Sequence, residues 1–164
     1  MIAASIAKKH GQELGLANST AVLNQTTEKA LKGMKNSAAD TGIWESSTQG
    51  MMDIAKTRFA IEALVMAKDA GLSIDEDLLN TAVTYVTKWN AASAQDKVEQ
   101  QYIYSLLPDR QLDRKKLELT FKADPAILAR AVLANNRQGF INSTEAESAL
   151  TELAKQTETQ LGWK

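Results

Sequence analysis

Residue types that perform catalysis are sparse and scattered in this chain of 164 residues. His10 is the only histidine, and we expect it at a helix end or on the surface, because a zinc site needs several ligands and a general base needs a positioned partner. Ser46-Ser47-Thr48 has no histidine near it in the sequence, which argues against a serine nucleophile. The chain contains no cysteine, so these residues supply no thiolate zinc ligand, disulfide or cysteine nucleophile.

Two groups of acidic residues are candidate sites. Asp75-Glu76-Asp77 superficially resembles a cation-binding motif, but it opens a predicted helix, where the helix dipole favours negative charge. Asp40 and Glu45 flank Trp44 in a predicted loop, and paired carboxylates can cleave a glycosidic bond, yet no second pair supports that chemistry. The mixed charges of 109–118 are interpreted as a solvated helix face. We predict no catalytic, cofactor-binding or metal-ligating residue.

The composition of the chain limits the classes of molecule that it is expected to bind. A formal net charge of −1 gives no electrostatic basis for binding nucleic acid or an anionic membrane. No apolar run is long enough to span a bilayer, and Met1-Ile2-Ala3-Ala4 lacks the basic region and apolar core of a signal peptide. Trp44, Trp89 and Trp163 are expected to pack over helix ends rather than to form an aromatic binding surface.

Hydrophobic spacing and capping residues predict an all-α chain of eight helices without strands. A loop around Trp44 is expected over 35–49, and a Ser73–Glu76 capping box is expected to open the fourth helix. The predicted helices cover about 1–10, a segment capped by Asn18-Ser19-Thr20 with Leu23, Thr27, Ala30, Leu31 and Met34 on one face, 51–70, a segment opened by Ser73 and Glu76 with the stripe Leu78, Leu79, Ala82, Val83, Val86 and Trp89, 95–107 ended by Pro108, 111–119, a segment opened by Asp124-Pro125 and ending near Asn135, and a segment capped by Asn142-Ser143 and reaching Leu161.

Two of these helices are almost wholly apolar. Ile54–Ala70 stops at Gly71 and Ala126–Ala134 is followed by Gly139, and an amphipathic helix comes after each glycine. A largely apolar helix has little room for a solvated face, so other helices should surround it. We interpret the recurrence as a weak repeat of two helix pairs, with apolar helices in an inner ring and amphipathic helices in an outer ring.

These residues resemble the thioester-domain region of bacterial α2-macroglobulin-like proteins. The resemblance extends over roughly 15–164 and depends on loose helical patterns. The segments that carry it are Gly42-Ile43-Trp44, Thr57-Arg58-Phe59-Ala60-Ile61-Glu62-Ala63-Leu64, Ala67-Lys68-Asp69-Ala70-Gly71-Leu72-Ser73-Ile74-Asp75, the stripe Leu79, Ala82 and Val86, Pro125-Ala126-Ile127-Leu128-Ala129-Arg130-Ala131, Gly139, and Ala146 to Trp163.

The resemblance implies an α/α-toroid inside a large protease-trapping protein. In that family a Cys-x-Glu-Gln motif forms an internal thioester that captures the attacking protease. With no cysteine present, this chemistry is assigned to no residue here. We therefore expect 1–164 to be a single helical domain, a partial or truncated toroid within a much larger multidomain protein and not itself an enzyme.

The resemblance also implies partners and a location. Other domains of the parent chain and target proteases are the expected partners, without nucleic acid, metal or cofactor. The expected location is the periplasm or the cell exterior, or a membrane to which the parent protein anchors the domain.

Two alternatives stay open. An α/α-toroid enzyme acting on glycan or isoprenoid substrates is the first, because terpenoid cyclases and protein prenyltransferases share the helix-pair pattern. A helical-repeat interaction scaffold is the second, although a tetratricopeptide array would need a strict period of about 34 residues, which we do not find.

Overall fold

The computed structural model describes residues 20–38, 43–45, 52–119 and 124–161, and the regular secondary structure within them consists of α-helices. The all-α prediction is confirmed for these residues, where an isolated antiparallel bridge joins Glu45 and Met52. The helices are α1 (Thr20–Ser37), α2 (Ile54–Asp69), α3 (Glu76–Lys88), α4 (Ala94–Ser105), α5 (Pro125–Arg137) and α6 (Ser143–Leu161). None of the helices in the described ranges is long and apolar enough to cross a membrane.

The contacts within the chain group into two compact units, Met1–Trp89 and Asn90–Lys164. The single domain over 1–164 stays a prediction. The predicted helix over 1–10 and the predicted cap residues Asn18 and Ser19 lie outside the described residues. The predicted loop begins too early, because α1 continues to Ser37.

In the first unit, α2 packs against α3. The predicted burial of α2 is confirmed from Ala60 to Ala67, where every residue is buried or half-buried. The prediction is wrong for the start of the helix, since Ala55, Lys56 and Phe59 are exposed there. On α3, the buried residues follow a single stripe and the opposite face is solvated, as its amphipathic pattern predicted.

In the second unit, α5 packs against both α4 and α6. Between Ala126 and Ala134, only Ala126 is exposed, which confirms the prediction of a largely buried helix. Leu128 and Val132 of α5 meet Ala146 and Leu153 of α6 in one apolar cluster. Most of the other residues between Ser143 and Thr157 are exposed, so this part of α6 is amphipathic as predicted.

Glycine ends both apolar helices in the same way. Gly71 and Gly139 have φ of 71° and 75°, a left-handed conformation that side-chain-bearing residues rarely adopt. In each case the glycine N–H and the next N–H donate back to the last helical turn, which is a Schellman motif. The bonds run from Gly71 to Lys68 (2.8 Å), from Leu72 to Ala67 (3.0 Å), from Gly139 to Asn136 (3.0 Å) and from Phe140 to Asn135 (2.8 Å).

The helix starts confirm two of the predicted caps and correct a third. The Asp124 carboxylate accepts from the N–H of Ala126, with Pro125 in the first turn. Asn142 and Glu145 cap each other's backbone at the start of α6. The predicted Ser73–Glu76 capping box is wrong, because the Asp75 carboxylate caps α3 by accepting from Leu78 N–H at 3.0 Å.

The helix predicted over 111–119 is wrong, and so is the solvated helix face predicted for the charges of 109–118. The segment is not helical. Leu117 and Leu119, two residues apart, both pack on a cluster from α4 and α5, which an extended chain allows and a helix does not. The buried residues of that cluster are Val98, Ile127 and Ala131.

Candidate apolar binding pocket beside Trp44

A pocket of about 770 Å³ opens in the first unit between α1, the 43–45 segment and α2. Most of the side chains around it are apolar. The aliphatic and aromatic ones are Ala30, Met34, Trp44, Ala55, Phe59, Ala60 and Ala63. Phe59 is 57% exposed, so a large aromatic surface borders the pocket. The exposed start of α2, which sequence analysis expected to be buried, therefore forms one wall of this pocket.

Trp44 links α1 and α2 through hydrogen bonds of its side chain and its backbone. Its indole N–H donates to Ser37 Oγ at 3.1 Å, and the Ser37 hydroxyl donates to Met34 O at 2.8 Å at the end of α1. Its backbone carbonyl accepts from Asp53 N–H at 2.8 Å and from the Thr57 hydroxyl at 3.5 Å at the start of α2. Trp44 is buried, and its packing over helix ends is as predicted.

The two cationic side chains around the pocket, Lys56 and Arg58, have partners. Lys56 Nζ donates to Glu45 O at 3.2 Å and lies 3.4 Å from Asp53 Oδ2. The Arg58 guanidinium forms an ion pair with Glu62 at 3.2 Å. The pKa of Asp53 is lowered, chiefly because its carboxylate accepts a hydrogen bond from the Lys56 backbone N–H. With both cations paired and most of the lining apolar, the pocket is suited to bind an uncharged apolar group.

The candidate acidic residues lie in different parts of the structure. Glu45 borders the pocket, whereas Asp40, like His10, Ser46-Ser47-Thr48 and Trp163, lies outside the described residues. Asp75 caps α3 and forms an ion pair with Lys35 at 2.6 Å, and this partner and the capping bond lower its pKa. Glu76 pairs with Lys68 at 2.8 Å. Among the described residues, no group of three or more histidines, aspartates and glutamates is placed to hold a metal ion.

A second feature, in the other unit, was missed by sequence analysis. Two buried amide side chains, Gln101 of α4 and Asn135 of α5, hold the backbone of the 111–119 segment. The bonds run from Gln101 Nε2 to Asp113 O (3.0 Å), from Lys115 N–H to Gln101 Oε1 (2.8 Å), from Leu117 N–H to Asn135 Oδ1 (2.8 Å) and from Asn135 Nδ2 to Leu117 O (2.8 Å). An isolated glutamine or asparagine in a helix carries no motif that would have identified this role.

Arg114 closes the turn that leads into this segment. Its Nη2 donates to the backbone carbonyls of Leu107, Pro108 and Arg110 at 2.7 to 3.0 Å. The Leu107 carbonyl also accepts from the Arg110 N–H at 3.2 Å, so the arginine adds to the backbone bond that closes this turn. The segment is therefore fixed both by its own arginine and by two helices.

Comparison with protein-family models, with curated proteins and with solved structures found no match to this chain. The resemblance to thioester domains accordingly stays a prediction, and function is argued below from the geometry and from that resemblance together.

Proposed function

We propose that this chain is a non-catalytic helical module of the thioester-domain type, part of a bacterial α2-macroglobulin-like protein that traps proteases. The observation that carries the proposal is the repeated glycine corner. Gly71 and Gly139 each end a largely buried helix with a Schellman motif and lead into an amphipathic helix. In the proposed toroid, α2 and α5 belong to the inner ring and α3 and α6 to the outer ring.

The pocket beside Trp44 supports a binding role rather than a catalytic one. Exposed aromatic surface next to an apolar cavity is typical of a protein contact. We infer that this pocket receives an apolar side chain from a neighbouring domain of the parent protein. The paired charges of Lys56 and Arg58 favour such a contact over transition-state stabilisation. The parent is proposed to act in the periplasm or outside the cell, where it meets its target proteases.

The native protein tests this proposal directly. An antibody raised against the recombinant chain recovers the native polypeptide, whose intact mass and peptide sequences are read by mass spectrometry. We expect a polypeptide far larger than 164 residues, with macroglobulin-type domains on either side of this chain. A Cys-x-Glu-Gln motif ahead of residue 1 would indicate a covalent trap, and its absence a steric one. A native polypeptide with no such domains would overturn the proposal.

A further inference from the structure

Residues 113–117 of the second unit are held to α4 and α5 through one backbone edge. The backbone groups of residues 113, 115 and 117 bond to Gln101 and Asn135. Successive backbone groups of an extended chain point to opposite edges, so this alternation identifies residues 113–117 as extended. The backbone groups of Arg114, Lys116 and Glu118 point to the other edge. On this edge the Arg114 N–H donates to Leu112 O at 2.9 Å, whereas within the described part of the chain the backbone groups of Lys116 and Glu118 form no hydrogen bond.

Three consecutive basic residues lie in this segment, and their side chains differ in what they bind. The Arg114 guanidinium is occupied by three carbonyls. The Lys115 amine lies 3.0 Å from Asp113 Oδ2. Lys116 is exposed and has neither an ion pair nor a hydrogen bond among the described residues. Its side chain is thus available to a partner, and its backbone edge, without a hydrogen bond among the described residues, borders a pocket lined by α4 and α5.

Trypsin-like serine proteases recognise this combination. A substrate that binds as an added strand pairs its main chain along one edge, and an aspartate in the specificity pocket of trypsin selects a basic residue before the cleaved bond. We propose that Lys116–Leu117 is a reactive-site bond, and that the chain binds trypsin-like proteases as a slowly cleaved, substrate-like inhibitor. Holding this bond in its bound conformation beforehand reduces the entropic cost of association.

The groups around the bond explain why cleavage should be slow. When the protease serine attacks the carbonyl carbon of Lys116, the bond to the Leu117 nitrogen breaks and that nitrogen takes a proton from the protease histidine. Asn135 binds both backbone groups of Leu117, and the Leu117 side chain packs on Val98 and Ile127. The new amine therefore stays beside the acyl group and re-forms the peptide bond in competition with hydrolysis by water.

Titration of trypsin with the intact chain tests the proposal. Residual activity is measured on a small chromogenic substrate, and mass spectrometry identifies the first bond cut. We expect inhibition at near-stoichiometric concentration, with first cleavage between residues 116 and 117. Lys116→Ala should weaken inhibition roughly a hundredfold, whereas Lys115→Ala, the matched control, should weaken it far less. Circular dichroism checks that both variants fold.

A change of specificity gives a second, independent readout. Lys116→Phe should lose inhibition of trypsin and gain inhibition of chymotrypsin, because chymotrypsin has a hydrophobic specificity pocket. The proposal is overturned if trypsin is unaffected, if Lys116→Ala inhibits as well as the parent, or if another bond is cut first. Rapid cleavage at 116–117 with release of active protease would also overturn it.

Discussion

At the scale of single residues, the Asn135 side chain is expected to contribute strongly to the free energy of unfolding. It is 1% exposed, and its amide satisfies both the N–H and the C=O of Leu117. Asn135→Ala leaves both groups without that partner, and we expect it to lower the free energy of unfolding by about 2–4 kcal/mol. Urea denaturation measures the change. Asn136→Ala is the control, because the Asn136 amide makes a single long bond to Ile141 O at 3.4 Å, and its cost should be about 1 kcal/mol or less.

Phe59 is the residue whose removal should most affect the pocket beside Trp44. Phe59→Ala removes a large exposed aromatic wall, so we expect several-fold weaker binding of an apolar fluorescent probe and little change in stability. Tyr85→Ala is the matched control, because Tyr85 is also an exposed aromatic of the first unit but does not border the pocket. Equal probe affinity for both variants would contradict a ligand-binding role for this pocket.

At the scale of helices, replacing glycine by alanine should have opposite effects on stability at the end of a helix and inside one. Gly71→Ala and Gly139→Ala place a side chain at positive φ, and each is expected to destabilise the protein by about 1–2 kcal/mol. Gly33→Ala, inside α1 with open space around the new methyl group, should instead stabilise by about 0.5–1 kcal/mol. Thermal unfolding of the three variants separates these effects. A stabilising alanine at position 71 or 139 would refute the left-handed corner.

The aspartate caps of α2 and α3 make stability depend on pH. The pKa values of Asp53 and Asp75 are both lowered on folding, the first chiefly by the Lys56 backbone N–H and the second chiefly by the Lys35 amine. Their contribution is therefore complete above the unfolded pKa of about 3.9 and is lost as pH falls through the lower folded values.

Replacement of both aspartates by asparagine isolates this effect. Asparagine keeps the capping oxygen but does not titrate, so the double variant Asp53→Asn, Asp75→Asn should lose less stability than the parent between pH 5 and pH 2. Chemical denaturation at a series of pH values measures the two profiles. Parallel profiles would mean that these carboxylates do not account for the acid sensitivity.

The sequence predicted the helices best where local signals and burial agreed. Asp124-Pro125 and Asn142 begin helices through their own side chains, and Gly71 and Gly139 end them. The local sequence was therefore sufficient to predict these helix ends. The 111–119 segment is different, since its backbone bonds to Gln101 and Asn135, which are distant in sequence. The same limit applies to the site, because the exposure of Phe59 depends on where α1 and Trp44 lie.

At the scale of the whole molecule, the question is whether the two compact units unfold together. Each has roughly half of the chain and a modest core, and units of that size are marginal alone, so we expect one cooperative domain. Leu64→Ala, at a site 1% exposed in the first unit, should cost about 2–5 kcal/mol. In hydrogen exchange, amides of α5 should then lose as much protection as those of α2. Loss confined to α2 and α3 would contradict the single domain.

The backbone-only character of the bonds to Gln101 and Asn135 has an evolutionary consequence. Both amides bond to main-chain groups of the segment, so exposed positions such as Lys115 and Glu118 can vary without loss of these bonds, while 101 and 135 are constrained. The segment is consequently a natural acceptor for grafted foreign peptides. A library randomised at those exposed positions should yield mostly folded members, each displaying a different linear epitope on an unchanged frame.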